Sequence, residues 1–139
     1  MTAPRVTRHA VCWAVVYLFW LTVTRRNQPT LPVAIVATAL LTGTAAVAVY
    51  TDWYALRPRF AATGRWAAYV AGLFALVAAL TFPTVIAIQL VYDGAGVPLE
   101  HRFGFWTNVG YEAAWYLFHL AIAAAVRAAR SALFRTSAP

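Results

Sequence analysis

The sequence predicts an all-α integral membrane protein built as a bundle of four transmembrane helices, and three observations support this fold class. Hydrophobic residues make up 63% of the 139 residues and charged residues only 11%, whereas soluble domains average about 45–50% and about 25%. The chain also contains four apolar windows long enough to approach a membrane span. Finally, its arginines lie at the ends of these windows. The length corresponds to a single membrane domain, residues 1–139.

The four windows predict helices at about 10–24, 31–50, 66–92 and 107–128. A span needs about 20 apolar residues, and the first window is the shortest. Only sixteen residues separate Arg8 from Arg25, a rise of roughly 24 Å, so the arginine stems would have to reach the interfaces at both ends. The third window is the longest, and Pro83 within it predicts a bend because proline removes a backbone donor.

The distribution of arginines predicts the orientation in the membrane. Eight arginines lie on the side of the two termini and three on the other side. The eight are Arg5, Arg8, Arg57, Arg59, Arg65, Arg127, Arg130 and Arg135, and the three are Arg25, Arg26 and Arg102. The positive-inside rule therefore predicts a multi-pass protein of the cell membrane with both termini in the cytoplasm. Because topology explains the net charge of +7, we expect no nucleic-acid partner.

The fourth window, which includes "WTNVGYEAAWYLFH", carries polar side chains on one face. Successive helical residues step by about 100°, which places four side chains on a narrow arc with a fifth beside it. The arc consists of Asn108, Glu112, Trp115 and His119, and Tyr116 flanks it. A glutamate facing lipid would cost several kcal/mol, so we expect this face to look into the protein. Gln89 of the third window has a similar depth, which predicts a hydrogen bond between Glu112 and Gln89.

The membrane interior also predicts the charge state of these groups. A low dielectric disfavours an ionised carboxyl, so we expect Glu112 to be uncharged unless an arginine approaches, and Arg102 is the available one. For His119 we expect a neutral ring with one hydrogen bond. The candidate ligand- or proton-binding residues are Glu112, Asn108, Gln89, Trp115 and Tyr116, and the candidate catalytic residues are Glu112, Glu100 and His119.

Small residues predict how the helices associate, because lipid removes the hydrophobic incentive and close backbone approach replaces it. The second window has Ala34, Thr38, Thr42 and Ala45 on one stripe with Ala39, Gly43 and Ala46 beside it, and the third has Ala68, Gly72, Ala75 and Ala79. Such residues on several faces predict contacts with the bilayer, with other membrane subunits or with further copies of the chain. The first functional hypothesis is therefore a non-enzymatic accessory or assembly subunit of a membrane complex.

The second hypothesis is a small homo-oligomeric proton-coupled transporter or channel that uses Glu112. It would differ from the small four-helix multidrug exporters, which carry their coupling glutamate in the first helix, because the first window here has no acid. No cofactor is predicted. A haem held by two histidines of one chain is not expected, because His119 would need a second histidine at a compatible depth, and His9 and His101 fall at opposite boundaries; a dimer could still pair His119 with itself. Glu112 with His119 supplies too few ligands for a metal site.

The third hypothesis rests on a resemblance. In "VPLEHRFGFWTN", Pro98, Glu100, Phe105 and the pair Thr107-Asn108 are similar to the P-x-E-E segment, with its following Phe-Phe and Thr-Asn, of membrane carotenoid cyclases. Likewise "NVGYE" resembles the N-x-x-W-E segment of membrane meroterpenoid cyclases, with Tyr111 in place of tryptophan.

This resemblance implies that Glu112 or Glu100 protonates an olefin or epoxide of an apolar or isoprenoid ligand, in a pocket whose aromatic walls stabilise the cation. The chain departs from the pattern in three respects. His101 replaces the second acid, the Thr-Asn pair comes one residue early, and about a dozen residues are covered. Whether the protein is an enzyme therefore stays open at this point, with a non-enzymatic role favoured.

Overall fold

The computed structural model describes the backbone of residues 3–136 and the side chains of residues 6–99 and 101–132. Over this range the chain is helical, with four long helices: α1 (Ala3–Thr24), α2 (Leu31–Thr51), α3 (Trp66–Gly94) and α4 (Phe105–Thr136). All four are long and apolar enough to cross a membrane. The predicted fold class, all-helical with four candidate spans, is confirmed. The side chains of Arg5, Glu100 and Arg135 lie outside the described residues.

The first helix begins well before the predicted residue 10 and thereby gains the length that its apolar window lacks. Hydrogen bonding of the backbone continues through the polar residues near the N-terminus, and Pro4 lies in the first turn, where a missing N–H is tolerated. The helix has 22 residues and rises about 33 Å. The last helix likewise continues past the predicted residue 128, as far as Thr136.

The second helix is the central one. Thr30 caps its first turn by accepting a hydrogen bond from the backbone N–H of Val33 at 3.4 Å. Its buried residues recur every three or four positions: Val33, Ala34, Ala37, Thr38, Thr42, Ala45, Ala48 and Val49. The stripe from Ala34 to Ala45 is thus used inside the chain, whereas Ala39 and Gly43 beside it remain exposed.

The core lies where α2, α3 and α4 meet. Its buried cluster consists of Ala45, Ala48, Val49, Val77, Tyr116 and Leu120. The alanines of α2 let the larger side chains of the other two helices approach its backbone. Helix α1 lies at the periphery, since none of its apolar window is buried within the protein. It is attached by aromatic side chains instead, for example by Trp13, whose Nε1 donates to the Tyr50 hydroxyl at 3.0 Å.

The segment after α2 is not the predicted loop but a π-helix, Asp52–Ala61. Pro58 gives a physical reason, because in an α-helix its ring would press on the carbonyl four residues earlier, and the wider π turn relieves this clash. A π turn also places residue i+5 over residue i. Arg57 therefore lies over Asp52 and donates from Nε to its Oδ2 at 2.5 Å.

Asp52 is a buried anchor between this π segment and α3. Its side chain is 1% exposed, and the Tyr69 hydroxyl of α3 donates to its Oδ1 at 2.8 Å. Gly72 allows the close approach, since a Cβ built there would lie 3.1 Å from a methyl carbon of Leu56. An aspartate that the sequence placed in a loop thus holds the π segment against α3.

Candidate functional site

The two ends of the bundle differ in what they carry. The end with the α1–α2 and α3–α4 connections is called here the connection end, and the end with the N-terminus and the π segment is called the terminal end. At the connection end lies a cavity of about 420 Å³, the connection-end cavity. Its polar lining comes from both connections and from the ends of the helices, and it includes Thr24, Asn27, Gln28, Tyr92, Arg102, Asn108 and Glu112.

Glu112 is the most unusual group in this lining. The residue is 9% exposed, and its Oε2 is enclosed without a hydrogen-bond partner among the described residues. The expectation that this carboxyl faces protein rather than lipid agrees with its burial. Asn108, one turn earlier on α4, lines the same cavity, and its Nδ2 donates to the carbonyl of Phe103 at 3.2 Å.

The expected hydrogen bond between Glu112 and Gln89 does not form among the described side chains, and that prediction is wrong. The inward face of α3 contains Thr84, Val85 and Ile88, and the helical repeat continues it at Tyr92. Gln89 is rotated by about 100° from Ile88 and does not line the cavity. Tyr92 takes its place, with its hydroxyl donating to Gln28 Oε1 at 2.9 Å.

Arg102 approaches the cavity without forming an ion pair with Glu112. Its side chain is 8% exposed, and its Nη1 donates to Asp93 Oδ1 at 2.6 Å. Its Nε donates to the carbonyl of Val97 at 2.9 Å. The guanidinium also lies 5.8 Å from the centre of the Tyr92 ring. Arg102 therefore braces the α3–α4 connection.

Tyr116 lies one turn deeper than Glu112 and outside the cavity. It has no exposed surface, and its hydroxyl donates to Thr84 Oγ1 at 2.9 Å. The same hydroxyl lies 2.8 Å from Thr44 Oγ1. Tyr116 thus joins α4 to α2 and α3, and the apolar core begins beneath it. The polar lining ends at this level.

Trp115 and His119 belong to a separate aromatic group that joins α4 to α1. The centres of the Trp20 and Trp115 rings are 4.2 Å apart. Trp20 Nε1 donates to His119 Nε2 at 3.2 Å, and His119 Nδ1 lies 2.9 Å from the carbonyl of Trp115. Because an indole N–H only donates and a carbonyl only accepts, the imidazole is neutral with its proton on Nδ1. It makes two hydrogen bonds rather than the expected one.

A second cavity of about 170 Å³ lies between α1, α2 and α4. Apolar side chains such as Val16, Val49, Ile122 and Val126 line most of it, with His9 and His119 at its margin. His9 Nδ1 lies 2.9 Å from the Tyr50 hydroxyl, so that ring already has a partner. This second cavity could hold an apolar chain, but Glu112 does not line it.

The sequence pattern did not indicate the cavity-lining positions of Gln28 and Tyr92 or the buried position of Asp52. Tyr92 ends the third apolar window, where an aromatic ring is expected of any membrane helix, and Gln28 lies in a connection whose sequence indicates no chemistry. For Asp52 a signal existed, because Arg57 follows it by five residues with Pro58 next, a spacing that suits a π turn.

Among the described side chains, the connection-end cavity can therefore offer one carboxyl group, amide side chains, aromatic rings and the basic groups of His101 and Arg102 to a ligand. Within residues whose side chains are described, no three His, Cys, Asp or Glu side chains gather to hold a metal ion. No family model, curated protein or solved structure matches this chain.

Proposed function

We propose that the chain is a non-enzymatic accessory or assembly subunit of a membrane complex, with other membrane subunits or further copies of itself as partners. The observation that carries this proposal is the set of small residues left exposed after the fold has formed. On α2, Ala39 and Gly43 are exposed one turn apart, and a Cβ at Gly43 would meet nothing within 4 Å. On α3, exposed alanines recur at the same spacing, at positions 71, 75 and 79. Such spacing lets the backbone of another helix approach closely.

Three buried polar side chains outside the cavity support the same proposal, because they are already engaged in holding helices together. The hydroxyl of Tyr116 joins three helices, the ring of His119 joins α4 to α1, and Asp52 anchors the π segment. None of the three has a reactive atom free for a substrate. These contacts favour a role in assembly over catalysis.

The transport and cyclase hypotheses meet specific obstacles. A proton taken up at Glu112 would face Tyr116 and the apolar core on its way across the bundle, so transport would need these groups to move. In the cyclase hypothesis Tyr111, Trp115 and Tyr116 would wall the acid, but Trp115 packs on Trp20 instead. Of these three rings only Tyr111 lines the cavity with Glu112, and the other aromatic rings there are Tyr92 and Phe103.

For the orientation, we propose a multi-pass protein of the cell membrane with both termini in the cytoplasm. The arginine asymmetry supports this, and Arg127 and Arg130 are exposed near the terminal end, where anionic headgroups would attract them. A reporter fused to each terminus in turn tests the orientation. We expect cytoplasmic activity at both termini, and an outward C-terminus would contradict the proposal.

The test of assembly is the mass of the particle extracted in mild detergent. We expect the wild-type chain to run as a complex and Gly43→Leu to release the chain from it, because the added side chain blocks close approach. Ala121→Leu, which adds similar bulk at an exposed position of α4, serves as the matched control and should leave the complex intact. A monomeric wild type, or an unchanged complex in Gly43→Leu, would overturn the proposal.

A further inference from the structure

The connection-end cavity carries an inference that does not depend on the assembly role. We propose that it binds a small organic cation, with a primary ammonium group of the ligand at Glu112, whose ionised form the charge of the ligand favours, and with Tyr92, Phe103 and Tyr111 as aromatic walls.

Among the described residues, Glu112 lacks a hydrogen-bond partner for one of its carboxyl oxygens. Its Oε2 is enclosed without a donor, and a buried polar group without a partner is costly. Arg102, which also lines the cavity, directs its donors to Asp93 and to the carbonyl of Val97. A donor that enters the cavity lined by Glu112 would supply the partner that the described part of the chain does not.

The connection-end cavity is large enough for a small molecule and can be reached from the end of the bundle. The cavity has a volume of about 420 Å³, within the range of about 300–1,000 Å³ that small-molecule sites occupy. Gln28 of the α1–α2 connection and Phe103 of the α3–α4 connection both line it. Its lining therefore includes the end of the bundle, where a water-soluble ligand can arrive without crossing the lipid tails.

The side chains that line the cavity indicate what kind of charged group it would bind. Arg102 and His101 also line the cavity, but Arg102 pairs with Asp93, and among the described side chains of the lining Glu112 is an acid without an ion-pair partner. Inorganic cations such as Ca²⁺ take about six to eight oxygen ligands, more than one carboxyl and the nearby amides supply. An ammonium group has three donors, and aromatic rings attract organic cations. The lining fits an ammonium better than a metal ion.

The test uses the full-length protein in mild detergent with benzylammonium as the probe and benzyl alcohol as its neutral analogue of similar shape. Binding is measured by saturation-transfer NMR and by titration calorimetry. We expect benzylammonium to bind at least tenfold more tightly than benzyl alcohol, and Glu112→Gln to remove that difference. Equal affinities for the two compounds, or no binding of benzylammonium at millimolar concentration, would overturn the proposal.

Two further variants test the aromatic wall without changing the carboxyl. Tyr111→Leu should weaken benzylammonium binding several-fold. Tyr54→Leu, at a tyrosine of similar exposure near the terminal end, should leave the affinity unchanged. This pair also keeps the proposal testable if Glu112→Gln does not fold. Equal affinities of the two leucine variants for benzylammonium would show that Tyr111 does not contact the ligand and would overturn the proposal.

Discussion

Tyr116 shows what single residues contribute inside this bundle. The helical arc of α4 correctly indicated that Glu112 and its neighbours face inward, because 100° steps along one helix can be read from the sequence. The same arithmetic could not say which residue of α3 would meet them, since that depends on how α3 is rotated about its own axis. Tyr116 reaches Thr84, whereas Gln89, chosen by depth alone, turns aside. The depth of a residue in the membrane can be predicted from the sequence, but the rotation of its helix about the helix axis depends on packing.

The first prediction at this scale concerns the Tyr116 hydroxyl. Tyr116→Phe removes its bonds to Thr44 and Thr84 while keeping the ring. We expect the free energy of unfolding to fall by about 0.6 kcal/mol for each of the two bonds, since hydrogen bonds between membrane helices contribute about 0.6 kcal/mol on average and about 1.7 kcal/mol at most. Reversible unfolding in mixed micelles measures it. Tyr111→Phe, at an exposed side chain, is the control, and equal effects of the two variants would contradict the assignment.

The second prediction concerns the tautomer of His119. Its partners fix the proton on Nδ1, because Trp20 Nε1 can only donate to Nε2. Nitrogen NMR of the labelled histidine should show a protonated Nδ1 and a bare Nε2. In Trp20→Phe the Nε2 signal should shift while the Nδ1 signal stays near its place. A proton on Nε2 in the wild type would refute the assigned contact.

At the scale of elements, apolar windows indicated the number and order of the helices but not their ends. An apolar window shows which part of a helix is suited to lipid. The backbone hydrogen bonds of that helix can continue into the polar sequence beyond the window. This is why α1 begins at Ala3 and α4 extends to Thr136. The π segment was missed because its charged residues and Pro58 are typical of a loop.

The π segment gives the third prediction. Asp52→Asn removes the charge that Arg57 binds and weakens the bond from Tyr69. Hydrogen bonds to charged groups contribute about 1.5–3 kcal/mol, so we expect a loss of unfolding free energy of that order. Asp93→Asn is the matched control, because this aspartate is 61% exposed and exposed pairs contribute about 0–1 kcal/mol. A larger loss in the control would contradict the anchoring role.

At the scale of the whole molecule, three helices form the core and α1 is added along one side by aromatic contacts. The sequence indicated four spans but could not indicate this arrangement, because the mean hydropathy of α1, 1.4, is close to the 1.3 of α4, which does have buried residues. Nor could it indicate the connection-end cavity, whose lining combines Gln28, Tyr92 and Glu112 from distant parts of the chain.

The central claim is that Glu112 faces a cavity at the connection end and not the lipid. It is tested most directly by a cysteine at position 112 in a Cys12→Ser background, treated with a small charged thiol reagent from each side of the membrane. The account predicts reaction from the side opposite the termini. It also predicts no reaction at a cysteine replacing Ile86, an exposed apolar position of α3. An unreactive cysteine at position 112, or one modified only from the side of the termini, would contradict it.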